Sequence, residues 1–381
     1  MRRVAALVPN VEGASPGQRV RIETWRDHLQ PHGWSVDLYP FEDAALHRVL
    51  YQPGHRAAKA ARLLACYGRQ IDRLRRMPPY DLLFVYQEAA LVGPALLERW
   101  ARRAGTPLVY DLDDPRFIPY RSPTSGRASL IKCSGKTNFL VRSADHVIAI
   151  NPLLADYAGR YNSSVTVVPN SVDLERYRPR TPPAGPARVV WIGSHSTEAN
   201  LVMVSPALQR LQVDCGTPIR LIGAEAPALP GLRVESRHWS ADTEVGDLQE
   251  CHVGIVPVAD TPWNRWKFFF KTVQYMAAGL PVVAHPTGSN RDVIQHGVNG
   301  FLADTQEQWY QHLRTLVDQP DLRKRMGAAA RATAVERFSL PSHIATVADV
   351  FAEAVDAGPP LSSASRGPRA SAGSVPGRRG T

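Results

Sequence analysis

Short apolar runs alternate with longer amphipathic stretches along most of this chain, and this alternation constrains the fold more than any other feature. Runs such as Val4–Val8 have the length of buried strands, and stretches such as Arg21–Leu29 carry apolar residues at helical spacing. Strands that alternate with helices form parallel sheets covered on both faces. The Pro-rich segment Arg178–Pro186 interrupts the pattern before it starts again. The 381 residues therefore predict two successive α/β units.

The predicted elements fall into two similar series. Strands are predicted at Val4–Val8, Val36–Tyr39, Leu82–Tyr86, Leu108–Leu112, Val147–Ile150, Val165–Val168, Val189–Ile192, Arg220–Ile222, Val253–Val256 and Val282–Ala284. Helices are predicted at Arg21–Leu29, Ala57–Arg76, Pro94–Ala104, Asn200–Leu211, Lys271–Ala278, Thr305–Asp318, Pro320–Arg337 and Pro341–Ala357. We predict an N-terminal domain over 1–178, a linker over 179–187, a second domain over 188–338, a helix over 339–357 that can cross back to the first domain, and a disordered basic tail over 358–381.

The net charge of +10 and the spacing of the four cysteines narrow the classes of partner and compartment. The charge fits a solvated basic surface, the simpler interpretation, or a field that attracts anionic substrates or membrane headgroups. We expect no nucleic-acid partner, because zinc-finger, RRM and KH signatures are absent. No apolar run approaches 18 residues, and no CxxC pair exists, which favours a cytoplasmic protein. The basic helix Ala57–Arg76 offers a peripheral membrane contact, although a solvated face is the favoured interpretation.

The segment Trp263–Ala303 carries the most chemical information. Lys267 and Lys271 are four residues apart, so in a helix they share one face near its N-terminus. Free backbone N–H groups, the helix dipole and two ammonium groups there favour a diphosphate. A turn follows whose small residues allow a ligand to approach the backbone: Gly288, Ser289 and Asn290. The alternative is an ordinary α/β connection with surface lysines.

The stretch QYMAAGLPVVAHPTGSNRDVIQHGVNGFLA resembles the C-terminal signature of retaining GT-B glycosyltransferases of family GT4, often called group 1. VVWIGSHSTEANL is similar to the phosphate-side loop of that domain, and IAINPLLADY and VVPNSVDLERY resemble the domain-closing segment. The resemblance implies two Rossmann-like domains facing a cleft, a nucleotide-sugar donor, retention of configuration and no bound metal. It also implies that Ser194 contacts phosphate and that Gln274 binds the ribose. Gln274 and Trp266 replace the two glutamates of the family's E-x7-E pair, so the chain is similar to a variant subgroup with K-F-x-x-K-x-x-Q-Y.

Two carboxylates in the first unit are candidates for the acceptor side. The run LVYDLDD ends in Asp113 and Asp114, and it resembles the family's strand that ends in a histidine–aspartate pair beside the acceptor. Asp113 is the candidate catalytic residue, because it can take a proton from an attacking hydroxyl. The alternative is that both carboxylates cap the turn before Pro115.

Other loops of the first unit supply further candidates. Glycines in GASPGQRVR allow a tight turn over phosphate, with Gly17 and Arg19 as contacts to the donor diphosphate. Gln87 and Glu88 follow another strand and are candidates for the acceptor side. No HExxH motif is present, and the D-x-D at Asp111–Asp113 lies in the wrong domain for a nucleotide–metal clamp, so neither a metal nor a cofactor is expected.

These features predict a hexosyltransferase that moves a sugar from a nucleoside-diphosphate sugar to a hydroxyl or amine. The expected acceptor is a small molecule or a lipid-linked glycan, in natural-product or envelope-glycan synthesis. Positive charge at the diphosphate stabilises it as it leaves. Two alternatives stay open: another GT-B activity, such as a phosphorylase or an epimerase, and a catalytically weakened binding or partner subunit.

Overall fold

Two six-stranded parallel sheets, one after the other along the chain, form the framework of the computed structural model. The structure describes residues 1–50, 52, 54–102, 105–118, 135–178, 180, 183–224, 229 and 231–357. The predicted tail over 358–381 and residues 179, 181 and 182 of the predicted linker lie outside the described residues. The strands are β1 (Arg2–Val8), β2 (Trp34–Pro40), β3 (Leu82–Tyr86), β4 (Leu108–Leu112), β5 (His146–Ala149), β6 (Val165–Val167), β7 (Val189–Ile192), β8 (Ile219–Ile222), β9 (Val234–Arg237), β10 (Val253–Val256), β11 (Val282–Ala284) and β12 (Gly300–Leu302).

Helices connect the strands in both units. They are α1 (Pro16–Gln18), α2 (Thr24–Leu29), α3 (Ala44–Leu50), α4 (Arg56–Arg75), α5 (Leu96–Arg102), α6 (Gly135–Ser143), α7 (Pro152–Gly159), α8 (His195–Glu198), α9 (Ser205–Cys215), α10 (Glu244–Gln249), α11 (Phe270–Ala277), α12 (Asn290–Val293), α13 (Gln306–Asp318), α14 (Pro320–Arg337) and α15 (Leu340–Asp356). No described helix combines the length and the apolar content that crossing a membrane requires.

The order of the strands places a ligand-binding crevice in each unit. The first sheet has the order β2-β1-β3-β4-β5-β6, and the second has β12-β11-β10-β7-β8-β9. The direction of the connections reverses between β1 and β3 in the first sheet and between β7 and β10 in the second. Open parallel sheets bind ligands at the carboxyl ends of the strands beside such a reversal. The prediction of two Rossmann-like α/β units is confirmed.

Alternating side chains of β1 enter two different cores. Val4, Ala6 and Val8 face one apolar cluster, whereas Ala5 and Leu7 face another. The last helix, α15, covers the first of these faces, where Phe351 contacts the rings of Trp34 and Phe84 at centroid distances of 5.5 and 5.7 Å. The C-terminal end of the described chain therefore packs on the N-terminal sheet.

The structure corrects several details of the predicted elements. The helix predicted from Arg21 begins as a wider turn over Arg19–Glu23, with a non-helical backbone at Arg21 (φ −106°, ψ −109°). The sequence analysis missed β9 and β12, because the half-exposed strand VESR is polar and GFL has only three residues. It also missed the helices α3, α6, α7 and α10.

Candidate active site

The carboxyl ends of strands from the first unit and a loop of the second unit enclose a cavity of about 270 Å³. The first unit contributes the loop around Gly17 and the residues that follow β3 and β4. The second unit contributes Lys267 and Phe268, which precede α11, and Phe270, its first residue. The cavity therefore lies in a cleft between the two units.

Asp113 lies at the floor of this cavity and is held by two hydrogen bonds to one oxygen. The Tyr86 hydroxyl donates to Asp113 Oδ2 over 2.6 Å, and Gln87 Nε2 donates to the same atom over 2.9 Å. Asp113 is 9% exposed. Since both bonds go to Oδ2, the other carboxylate oxygen is available to a substrate, and Asp113 is fixed in orientation.

Gln87 adopts a backbone conformation that is rare for a residue with a side chain. Its φ is +57°, in the left-handed region. Its side-chain oxygen Oε1 accepts a hydrogen bond from Arg116, and Arg116 also pairs with Glu88 over 2.5 Å. Strained residues of this kind persist where the surroundings hold them, often at functional sites. The structure thus brings the predicted acceptor-side residues Gln87, Glu88 and Asp113 together.

Gly17 lies against the same carboxylate. A Cβ atom at this position would lie 2.5 Å from the Tyr86 hydroxyl oxygen and 3.2 Å from Asp113 Oδ2. Only glycine fits there without moving Tyr86, so the loop after β1 closes over Asp113. The prediction placed Gly17 at the donor diphosphate, whereas the structure shows its contacts on the Asp113 side.

Lys267 connects the two units across the cleft. Its ammonium group lies 3.3 Å from a carboxylate oxygen of Asp114, and this neighbour raises the pKa of Lys267. The prediction that Lys267 shares a helical face with Lys271 is wrong. Lys267 has extended backbone angles (φ −79°, ψ 147°), and α11 begins only at Phe270.

Lys271, by contrast, has no carboxylate partner within the described part of the chain. It lies in the first turn of α11, and its ammonium group is 4.5 Å from the centre of the Trp191 ring. Loss of hydration, followed by repulsion from Lys267, lowers the pKa of Lys271 to about 7. A partly buried cation in this state gains free energy from any anion that reaches it.

Arg19 crosses from the first unit to a second indole. Its guanidinium carbon lies 4.3 Å from the centre of the Trp239 ring, and burial lowers its pKa. Gly193, at the carboxyl end of β7, lies near both tryptophans. A Cβ atom at Gly193 would touch the Trp191 ring. The carbonyl oxygen of Gly193 and the Trp239 side chain both lie close to Gly223. Each unit therefore places one cation over a tryptophan of the second unit: Arg19 over Trp239 and Lys271 over Trp191.

Gln274 lies about one helical turn after Lys271 in α11 and belongs to a buried polar network. Its Nε2 donates to Glu244 Oε1 over 2.9 Å, and the Tyr177 hydroxyl donates to the same oxygen over 2.8 Å. Glu244 Oε2 accepts from the Trp239 indole over 2.7 Å. The sequence analysis missed Glu244, Trp239 and Tyr86, because each joins its partner only after folding.

The predicted phosphate turn is built from internal hydrogen bonds. Ser289 Oγ accepts from the backbone of Phe269 over 2.8 Å. Asn290 is fully buried, and it accepts from Thr272 and donates to the carbonyl of His285. We therefore assign these two side chains to the architecture of the turn, not to phosphate.

Gly288 and Ser194, the two remaining residues of the second unit that were predicted to contact phosphate, both lie in loops. A Cβ atom at Gly288 would lie 2.6 Å from the carbonyl oxygens of Asn264 and Lys267, and its φ is +52°, so this position requires glycine. Ser194 is exposed at the start of α8, directly after β7. Within the described residues, no cluster of three or more His, Cys, Asp or Glu side chains could hold a metal ion.

Comparison with known proteins agrees with this geometry. Residues 17–176 match the family model described as Glycosyltransferase Family 4, and residues 270–333 match the model described as Glycosyl transferases group 1. The D-inositol 3-phosphate glycosyltransferase of Nocardia farcinica is 24% identical over 87% of this chain and 75% of its own length. Alignments with two other curated relatives cover only 14% and 22% of those proteins.

Solved structures share the fold over nearly the whole chain. The sucrose-phosphate synthase of Thermosynechococcus elongatus has a TM-score of 0.71 at 14% identity, covering 94% of this chain and 100% of that one. HepE of Anabaena, in complex with UDP and glucose, has a TM-score of 0.65 at 18% identity, covering 92% and 100%. At these identities the likeness concerns the fold. The likeness to these solved glycosyltransferase structures shows that the chain has the GT-B fold, and the two family models match separate parts of it, one in each unit.

Proposed function

We propose that this protein transfers a hexose from a nucleoside diphosphate to a hydroxyl or amine of its acceptor, with retention of the anomeric configuration. The second unit holds the nucleotide, and the first unit presents the acceptor. The donor diphosphate then meets Lys271 and Arg19, and the acceptor meets Asp113. The complex of HepE with UDP and glucose supports a nucleoside diphosphate as the leaving group.

The unpaired ammonium group of Lys271 is the observation that carries this proposal. Its neighbour Lys267 is neutralised by Asp114, but no described carboxylate neutralises Lys271. A diphosphate supplies the missing charge and accepts hydrogen bonds that the Trp191 ring cannot accept. The same positive charge stabilises the diphosphate as the glycosidic bond breaks. Lysine and arginine side chains thus stabilise the leaving group, as a divalent metal ion does in metal-dependent transferases.

The arrangement around Asp113 favours an acceptor with hydroxyl or amine groups. Asp113 lines the cavity, and its second carboxylate oxygen can orient the attacking group or accept its proton. Glu88 and Asp114 lie on the same side, where each is paired with a cation, Arg116 and Lys267 respectively. An envelope glycan or a glycosylated natural product offers such groups, as does the inositol phosphate in the name of the Nocardia relative.

Calorimetric titration with UDP, GDP and dTDP tests the donor half of the proposal. We expect one of them to bind, and Lys271→Met to weaken that binding by about 100-fold, because the variant removes the cation but keeps the packing. Lys324→Ala, which changes an exposed lysine on α14, is the matched control and should bind as the wild type does.

The acceptor half is tested with the matching nucleotide sugars. NMR of the product should show the anomeric configuration of the donor. A chain that binds none of the three diphosphates, or a Lys271→Met variant that binds with unchanged affinity, contradicts the proposal. Inversion at the anomeric carbon contradicts the retention alone.

A further inference from the structure

Three hydrogen-bond donors converge on the buried carboxylate of Glu244. Gln274 and Tyr177 donate to Oε1, over 2.9 and 2.8 Å, and Trp239 donates to Oε2 over 2.7 Å. Glu244 is 7% exposed and begins α10. A buried carboxylate is costly unless it is hydrogen-bonded in this way, and it accepts from all three groups without donating to any.

The carboxylate decides which end of the Gln274 amide is left for another partner. The amide has an N–H₂ end that donates and a carbonyl end that accepts. Because an ionised carboxylate only accepts, Nε2 turns to Glu244 and Oε1 turns away. No hydrogen bond from the described residues to Oε1 is present, and Gln274 as a whole is 7% exposed.

We propose that Glu244 is a positioning residue that holds the carbonyl oxygen of Gln274 toward the ribose hydroxyls of the donor nucleotide. This inference rests on the proposed function. In this arrangement the carboxylate is Glu244 on α10, and it fixes the orientation of the neutral Gln274 amide on α11, whose oxygen accepts the hydrogen bond from the ribose. Through Trp239 the same carboxylate also anchors the indole on which Arg19 stacks.

An exchange of the two side chains tests this arrangement. Glu244→Gln replaces one of the two acceptor oxygens by an N–H₂ group, so the Gln274 amide is no longer held in one orientation and can present donors to the ribose. Gln274→Glu places two carboxylates at the 2.9 Å contact, which repel each other. The double variant Glu244→Gln/Gln274→Glu restores one amide, one carboxylate and an acceptor that faces the ribose.

The readout is the affinity for whichever of UDP, GDP and dTDP the wild type binds, with inorganic pyrophosphate as a ligand without ribose. We expect each single variant to bind the nucleotide at least tenfold more weakly and the double variant to recover to within about threefold of the wild type. Pyrophosphate affinity should change by less than about threefold in Glu244→Gln. Glu336→Gln, on the exposed face of α14, is the matched control.

Three outcomes overturn the inference. Nucleotide affinity that is unchanged in both single variants shows that Gln274 does not contact the ribose. Losses that simply add in the double variant, or equal losses for nucleotide and pyrophosphate, show a structural role only. If the wild type binds none of the three diphosphates, the proposed function fails first and the positioning role falls with it.

Discussion

Raising the pH from 7 to 8.5 should weaken the binding of the donor diphosphate, because Lys271 loses its proton over this interval. Loss of hydration and then the charge of Lys267 lower its pKa to about 7 in the free protein. A bound diphosphate favours the charged form, so the pKa of Lys271 rises in the complex. Only the protonated free protein offers the cation, and affinity therefore falls as the pH rises above 7.

The size of the effect follows from the fraction of protein that carries the charge. With a pKa near 7, about half of the free protein is protonated at pH 7 and about 3% at pH 8.5. The dissociation constant should therefore increase by about 15-fold, or about 1.6 kcal/mol. The phosphates contribute little, because their second pKa is near 6. Lys267 stays charged, because Asp114 raises its pKa.

Calorimetry at constant ionic strength measures this dependence directly. Titrations at pH 7, 7.5, 8 and 8.5 in two buffers of different ionisation enthalpy report both the affinity and the protons taken up, which should approach about one per site at pH 8.5. Lys271→Arg is the control, because a guanidinium keeps its charge throughout this range. Its affinity should be independent of pH.

Two results would refute the reasoning. A wild-type dissociation constant that stays within about twofold from pH 7 to 8.5 means that Lys271 does not lose a proton there or does not contact the ligand. An equal pH dependence in the Lys271→Arg variant means that another group titrates.

Four further outcomes are expected at the cleft. Asp113→Asn should lower kcat by about 100-fold or more and leave the diphosphate Kd within about twofold, since the lost group acts on the acceptor; a large change in Kd argues against this assignment. Gly17→Ala should lower transfer at least about tenfold, because its Cβ meets the Tyr86 hydroxyl, with little change in Tm; normal transfer shows that the loop can yield. Asp114→Asn should tighten diphosphate binding about threefold by releasing Lys267 from its ion pair, as calorimetry can test. Excess EDTA should leave the rate of transfer unchanged, and a loss restored by Mg²⁺ would show a metal requirement.

The sequence predicts the buried apolar strands well and the polar edge strand β9 poorly, for a physical reason. β10 and β11 are buried apolar runs, so their composition alone identifies them. β9 is polar and half-exposed, and it becomes a strand only because β8 offers it a partner. Its local sequence carries no such information.

The same distinction applies to the candidate site. Asp113 could be found because it follows a recognisable strand, and Lys271 because it begins a recognisable helix. Glu244 contacts Gln274 across 30 residues, and Arg19 contacts Trp239 across a still longer separation. The first pair depends on the packing of helices within the second unit and the other on how the two units face each other, and periodicity encodes neither. The shared helical face predicted for Lys267 and Lys271 failed for the related reason that α11 begins three residues later than Lys267.

Two lysines four residues apart thus acquire different chemistry from their surroundings alone. Lys267 meets Asp114 from the opposite unit, so contact between the units neutralises it before any ligand arrives. Among the described residues Lys271 lies near the Trp191 ring and a second cation, Lys267, and burial and that cation make its charged form costly. An anion that enters the cleft removes that cost, and Lys267 can then be shared between it and Asp114. The charged form of Lys271 is therefore the one that a bound diphosphate stabilises, whereas Lys267 already has a carboxylate partner in Asp114.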